Sequence, residues 1–493
     1  MSNLVIIPIL LPLFTAVLML LFKYNLNRTK QAAAAALLLN TFYSAFLVYR
    51  VFSQGPIVLE TGGWKAPYGI VLVADYLSVL LVLAANVVTS AAILYAFHTL
   101  EQRLQKFYFY PLVLLLLTGV SGAFMTGDLF NLFVFFEVLL MASYALIILG
   151  GSKQQFRESL KYIILNLFSS ILFVTTVSFL YSVTGTVNMA QLAERVAEVE
   201  QRGVLTGIGI LLFIVFATKG ALFPLYFWLP KSYTAPPSVI SALFGALLTK
   251  VGIYSILRVF SLIFVHKLEL THSFFLVLAA LTMLAGVIGA LSTNNVKLII
   301  AYNILPAIGF MMIGIGTFSA DSLAGTIYYL LHDMGIKAAL FFLAGLLAMH
   351  AGTSDLRKMS GYIHSAPVLG WLFFLSCLVL AGLPPFSGFI GKLILLKSAM
   401  LEGHYTVTGI GLFSSLLILF SVIRIFIGAF WGEHQEPKHP IPKTALASAG
   451  ALVAIGVFMG IGAESVYPWI QIAGDWLNDP SGYISTVLKE GAE

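Results

Sequence analysis

Six side chains able to carry a proton lie inside long apolar runs of this sequence. Glu137 stands in FVFFEVLLM, Lys219 in FATKGALFP, Lys250 in GALLTKVGIY, His332 and Lys337 in YYLLHDMGIKAALFF, and Lys392 in PPFSGFIGKLILL. Amines, an imidazole and a carboxylate exchange protons, and such groups in a membrane interior mark ion pathways and proton relays. An ammonium near a bilayer centre costs roughly 2.5 to 3.5 kcal/mol on insertion scales, so Glu137, Lys219, Lys250 and Lys392 unpaired and unhydrated would together cost on the order of 10 kcal/mol. Pairing Glu137 with Lys219, or hydrating a central path, would lower that cost. Taken singly, a buried His often only completes a hydrogen bond, and Lys337 near a span end could be an anchor. The set together points to a proton relay.

The elements that must hold these groups are membrane helices. The chain has 493 residues, 59% hydrophobic and 10% charged, with mean hydropathy +0.96, far from the roughly 25% charge of soluble domains. This composition predicts an all-α polytopic membrane protein. The net charge of +6 comes from basic residues scattered in connectors with no basic patch interleaved with aromatics, so it does not indicate nucleic acid. The single cysteine, Cys377, leaves no intrachain disulfide, zinc site of the CxxC type or cysteine-ligated iron–sulfur cluster, and no cofactor or metal is expected. The opening apolar segment lacks a positive n-region and a small-residue cleavage site, and is expected to remain as a span.

Windows of about 20 apolar residues, enough for roughly 30 Å of hydrocarbon, predict about fourteen spans. They fall near 3–22, 31–51, 70–97, 108–127, 129–150, 160–184, 203–229, 237–264, 273–291, 297–316, 323–349, 366–400, 407–431 and 445–470. The polar stretch Asn188 to Arg202 reads as a short surface helix. One set of connectors and span edges holds Lys23, Arg28, Lys30, Arg103, Lys106, Lys153, Arg157, Lys161, Lys231, Lys297, Arg357, Lys358, Lys438 and Lys443. The other holds Arg50, Lys65, Arg195, Arg202, Lys267 and Lys489, with acidic Glu194, Glu198, Glu200, Glu402, Asp475, Asp479, Glu490 and Glu493. The basic side is expected to be cytoplasmic and, with an even span count, both termini outside. Asp75, Asp128 and Asp333 fall near span ends or connectors and receive no role.

Proline adds geometry. Pro224 and Pro230 follow Lys219, which stands about 24 Å into its span, while Pro384 and Pro385 precede Lys392. Each pair is expected to break its helix at membrane depth. Two broken spans about 160 residues apart, each beside a lysine, are the pattern of inverted-repeat transporters. Spans four to eight and nine to thirteen are the natural repeats. The resulting division is 1–107 for three leading helices, 108–265 and 266–431 for the repeats, and 432–493 for the last helix and tail. In the eighth span Ala242 and Ala246 stack on the Lys250 side, while Ser241, Gly245 and Gly252 permit close helix approach, so Lys250 is expected to face other helices.

The stretch ATKGALFPLYFWLPKSYTAPPSVISALFGALLTKVGIYSILR, with GDLFNLFVFFEVLLMASYALI and LAGLPPFSGFIGK, resembles the antiporter-like subunits shared by Mrp-type multisubunit cation/proton antiporters and the membrane arm of respiratory complex I. The resemblance covers essentially the whole chain. It implies a proton-translocating unit in which Glu137 and Lys219 form a switching pair, Lys250 is the bridging lysine near which protons enter, His332 is the family's span-eleven histidine, and protons leave near Lys392. It also implies other membrane subunits as partners, Na⁺ and H⁺ as transported ions, a bacterial plasma membrane and no enzyme activity of its own. The length and the opening NLVIIPILLPLFTAVLMLLF are most similar to the Mrp branch, the alternative being a pumping subunit of an NADH:quinone oxidoreductase or membrane hydrogenase.

Overall fold

The computed structural model describes residues 2–21, 25–265 and 268–488, and the side chains of all of these but 268–270. Lys23, Lys267, Lys489, Glu490 and Glu493 of the charge reading lie outside the described residues. Among the described residues, thirteen helices are long and apolar enough to cross a bilayer. A fourteenth crossing, the twelfth in order, is made in two pieces, Pro367–Ala381 and Ser387–Leu401. The chain is therefore a nearly all-helical, multi-pass membrane protein with the expected number of crossings, one short strand pair being the exception.

Two local readings are corrected. Hydropathy assigns residues 70–74 to the third span, but Val71–Ala74 pairs antiparallel with Ile57–Glu60, and the helix begins only at Tyr76. Its start is fixed by a capping box: the Asp75 carboxylate accepts from the Ser78 amide at 2.8 Å, and Ser78 Oγ accepts from the Asp75 amide at 2.9 Å. The last span, expected to run to 470, ends at Ile461. Beyond Gly462 the chain forms Ala463–Asn478 and Pro480–Leu488, helices that carry Glu464 and Asp475 and return over the bundle end. The polar stretch after span six is the helix Met189–Glu198, as expected.

The two inverted five-helix repeats are visible residue by residue. Spans six and eleven, Lys153–Thr184 and Ala320–Ala351, both have 32 residues. Each starts with a capping box, at Ser152 and Ser319, and each ends at a left-handed glycine, Gly185 and Gly352. Both pairs are 167 positions apart. The same offset relates two isolated bridges, Asp128 with Asn188 and Asn295 with Asp355. Five spans separate the equivalent residues, an odd number, so the two bridges close opposite ends of the bundle.

Asp128 caps the fifth span by accepting from the Asn131 amide at 2.8 Å, and Asn295 caps the tenth in the same way. Burial pushes the Asp128 carboxyl up to about 6 against the amide bonds of Asn131 and Phe130. A carboxyl whose folded value lies above its unfolded one destabilises the fold as pH rises from about 4 to about 6, and the penalty is complete above that window. Asp128→Asn, which keeps the cap and copies the other repeat, is expected to stabilise the protein at pH 7.5 by up to about 3 kcal/mol. Thermal melts at about pH 7.5 and about pH 4 check this, because the gain should vanish at the lower pH.

Candidate functional site

The centre of the bundle is the eleventh span, and its middle holds Asp333, about 20 Å from the helix start. Lys250 Nζ lies 2.5 Å from Asp333 Oδ2, and Lys337 Nζ lies 3.6 Å from Asp333 Oδ1; all three side chains have 0% exposure. One turn of helix puts Asp333 and Lys337 on the same face, while Lys250 arrives from the eighth span. A carboxylate thus lies between two amines with no solvent beside it.

Both amines are also held by carbonyls that helix distortions release. Lys250 Nζ donates to Gly245 O at 2.7 Å, within the π-helical turn Phe244–Leu248, where the wider pattern loosens the usual carbonyl pairing. Lys337 Nζ donates to Asn303 O at 2.7 Å. Asn303 interrupts the tenth span between Val296–Tyr302 and Ile304–Thr317, three residues before Pro306, whose missing N–H disturbs the preceding turn. Irregular backbone at this depth is tolerated where it lines a polar interior.

On the far side of Asp333, His332 Nδ1 lies 2.8 Å from Ser387 Oγ, and Ser387 is the first residue of the second half of the broken twelfth span. His332 Nε2 is buried without a partner. Lys392 Nζ donates to Ala381 O at 2.7 Å and Leu380 O at 3.3 Å, the free carbonyls at the end of the first half-helix. It lies 5.0 Å from the Phe310 ring centre. A half-helix C-terminus carries partial negative charge and suits a cation. The twelfth span is broken over residues 382–386, with Pro384 and Pro385 inside the gap.

Lys219 meets the same chemistry differently. The seventh span runs Arg202–Gly220 and breaks at 221–228, around Pro224, before Leu229–Thr234 with Pro230 in its first turn. Lys219 therefore stands at a half-helix C-terminus by its own position, whereas Lys392 reaches one from across the gap. Lys219 Nζ donates to Ser170 Oγ at 3.2 Å and lies 4.9 Å from the Phe136 ring centre. Gly252 brings this end against the eighth span, since a Cβ there would lie 2.5 Å from the Gly220 nitrogen. Lys250 is two residues away.

The direct contact expected between Glu137 and Lys219 is not formed: no ion pair joins them among the described residues. Glu137 shares its helix face with Val134 and Met141, which are exposed, so it is half-buried at the side of the bundle, with Oε1 buried and unpartnered. The remaining expected residues, Lys250, Lys337, His332 and Lys392, converge around Asp333. Asp333 itself, assigned no role from the sequence although it lies between His332 and Lys337 in the same apolar run, is the residue that sequence reasoning misses. Its spacing four residues before Lys337 in HDMGIK is the available signal.

The family profile described as "NADH:quinone oxidoreductase/Mrp antiporter, TM" matches residues 126–418, which contain every one of these groups. A D-type Na⁺/H⁺ antiporter subunit of Bacillus subtilis is 51% identical over 493 residues, covering 99% of this chain and all of that protein. The chain belongs to the Mrp-type antiporter family, in its D-type branch. Two solved structures extend the likeness across the family. The Mrp complex of Dietzia sp. contains a chain with TM-score 0.93 and 29% identity, covering 99% of this chain and 100% of that one. Respiratory complex I of Thermus thermophilus contains one with TM-score 0.82 and 25% identity, covering 96% and 99%. As a D-type member of this family, the chain is one membrane component of an antiporter complex with further membrane subunits.

Proposed function

We propose that this chain is the proton-translocating subunit of a secondary Na⁺/H⁺ antiporter and not an enzyme. Protons are taken up at Lys250, pass through Asp333, Lys337 and His332, and leave at Lys392, while Glu137 and Lys219 control the transfer. The observation that carries this reading is the fully buried Lys250–Asp333–Lys337 cluster. One carboxylate balances one ammonium, so a second proton on the cluster is an excess charge in a low-dielectric interior and is driven onward. Stability gives no reason to keep such a cluster, because well-packed apolar residues usually serve a core as well or better.

The repeats are assigned to 108–265 and 266–431, flanked by 1–107 and 432–493. The basic helix ends, among them Arg103, Lys153, Lys231, Arg357 and Lys438, face the cytoplasm of a bacterial plasma membrane, which places both termini outside.

The test uses the whole complex, purified from its native membrane through a tag on this chain and reconstituted in vesicles. Lys250→Ala is expected to lower Na⁺-driven proton exchange at least roughly a hundredfold, about 2.7 kcal/mol, with every subunit still assembled. Near-normal exchange would remove Lys250 from the path. The same preparation is expected to lack flavin and iron; stoichiometric flavin and iron–sulfur proteins would instead make this the pumping subunit of a redox-driven complex.

A further inference from the structure

A second buried charge cluster lies on the same helix as Lys250 and takes no part in the relay. Lys250, Tyr254 and Arg258 follow at intervals of four and therefore line one face of the eighth span, Arg258 about 12 Å from Lys250 along the axis, toward the end opposite the basic connectors. Arg258 Nη2 lies 2.5 Å from Asp75 Oδ2, and both side chains are almost wholly buried. Asp75 also accepts from the Ser78 amide at 2.8 Å and from Trp476 Nε1 at 3.2 Å. The guanidinium lies over the rings of Tyr254 and Tyr483, 5.6 and 5.2 Å from their centres. The Tyr254 hydroxyl is occupied, donating to Phe124 O at 2.8 Å. Trp476 and Tyr483 belong to the two C-terminal helices, so these helices close over the pair.

Each group here is unsuited to passing a proton. A guanidinium does not deprotonate in proteins. The Asp75 carboxylate is surrounded by three N–H donors, and the two tyrosine rings against the guanidinium are themselves buried. A fixed arginine in a narrow polar track is also a recognised barrier to protons and cations.

We infer that Arg258 and Asp75, covered by Trp476 and Tyr483, form a proton-inert stopper that isolates Lys250 from the outer face of the membrane. Arg258 is thus a positioning residue for coupling: it denies Lys250 a second exit and so forces its proton toward Asp333. The inference rests on the proposed role of Lys250 and on the proposed sidedness.

Passive proton conductance of vesicles carrying the whole complex, measured after a pH jump without a Na⁺ gradient, tests it. Arg258→Gln is expected to raise the leak roughly tenfold, equivalent to about 1.4 kcal/mol off the barrier. Arg258→Lys is expected to leak as well, because lysine keeps the charge pair but can release its proton; if packing or charge alone mattered, lysine would rescue. Adding Lys250→Ala to either variant should restore tightness. Trp476→Phe, a milder change that removes only the N–H to Asp75, should leak measurably and decides the matter if Arg258→Gln does not assemble. Tight vesicles in all three single variants, or a leak that persists without Lys250, would overturn the inference. Normal exchange in Lys250→Ala alone would defeat the relay reading itself, a separate result.

Discussion

Asp333→Asn is expected to abolish exchange and to weaken the fold at the same time. Asparagine keeps the shape of the side chain and removes the charge that two buried amines share, Lys250 at 2.5 Å and Lys337 at 3.6 Å. Removing one partner of a buried ion pair typically costs about 3–5 kcal/mol, because the partner is left charged and unpaired. The cluster can escape part of that loss by giving up a proton, which leaves the relay empty at its centre. Exchange should fall at least roughly a hundredfold, and the purified complex should melt earlier. Exchange above half the wild-type rate in an assembled complex would exclude the Asp333 carboxylate from the path. Truncating Lys337 as well should recover stability without recovering exchange, since the charge left on Lys250 then has less to repel it.

The lysines are legible in the sequence because a cation in an apolar run of about 20 residues is anomalous whatever surrounds it. The same holds for Pro224, Pro384 and Pro385, whose effect on a helix is local. Asp333 is not legible in the same way. Its weight comes from Lys250, 83 positions earlier in the chain, whose approach no local pattern in the eleventh span reveals. The Arg258–Asp75 pair, 183 positions apart, is invisible to periodicity for the same reason. The carbonyls that receive the amines are hidden too: a π-helical turn at Phe244–Leu248 leaves no mark in composition, and Asn303 reads as an ordinary polar residue until Pro306 is seen to disturb the turn around it. Val71–Ala74 misleads in the other direction. Four apolar residues before a span look like more span, whereas their pairing with Ile57–Glu60 and the capping box at Asp75 make them a strand that ends before the helix.

The repeat explains a feature that position alone obscures. Lys219 precedes its helix break and Lys392 follows its own, so the two are not equivalent by offset. Both amines nevertheless lie at the C-terminus of a half-helix, and in both repeats the dipole of a broken span favours a charge at membrane depth. Under the offset of 167, Ser170 corresponds to Lys337 and Asn166 to Asp333. The second repeat therefore carries a charged pair where the first carries neutral residues, and Lys219 finds a hydroxyl where the other repeat offers an amine. That asymmetry leaves Lys219 with no carboxylate of its own helix layer. Its candidate partner is Glu137, from the half-buried edge of the fifth span.

Glu137→Gln and Lys219→Ala are each expected to lower exchange roughly a hundredfold, about 2.7 kcal/mol, and the double variant is expected to be no worse than either. In the structure the two groups are apart, Lys219 on Ser170 and Glu137 with one oxygen unpartnered, and the proposed switch requires that they also close. If closing is what Glu137 does, its value depends wholly on Lys219, and their losses cannot add. Two independent contributors would instead multiply, giving a double variant roughly a hundredfold below either single. Ser170→Ala biases the pair the other way. It removes the hydroxyl that holds Lys219 in the separated arrangement, so the pair should spend longer closed, and exchange should slow by a few-fold without being lost. Double-mutant additivity together with an unaffected Ser170→Ala would show that Glu137 and Lys219 act apart.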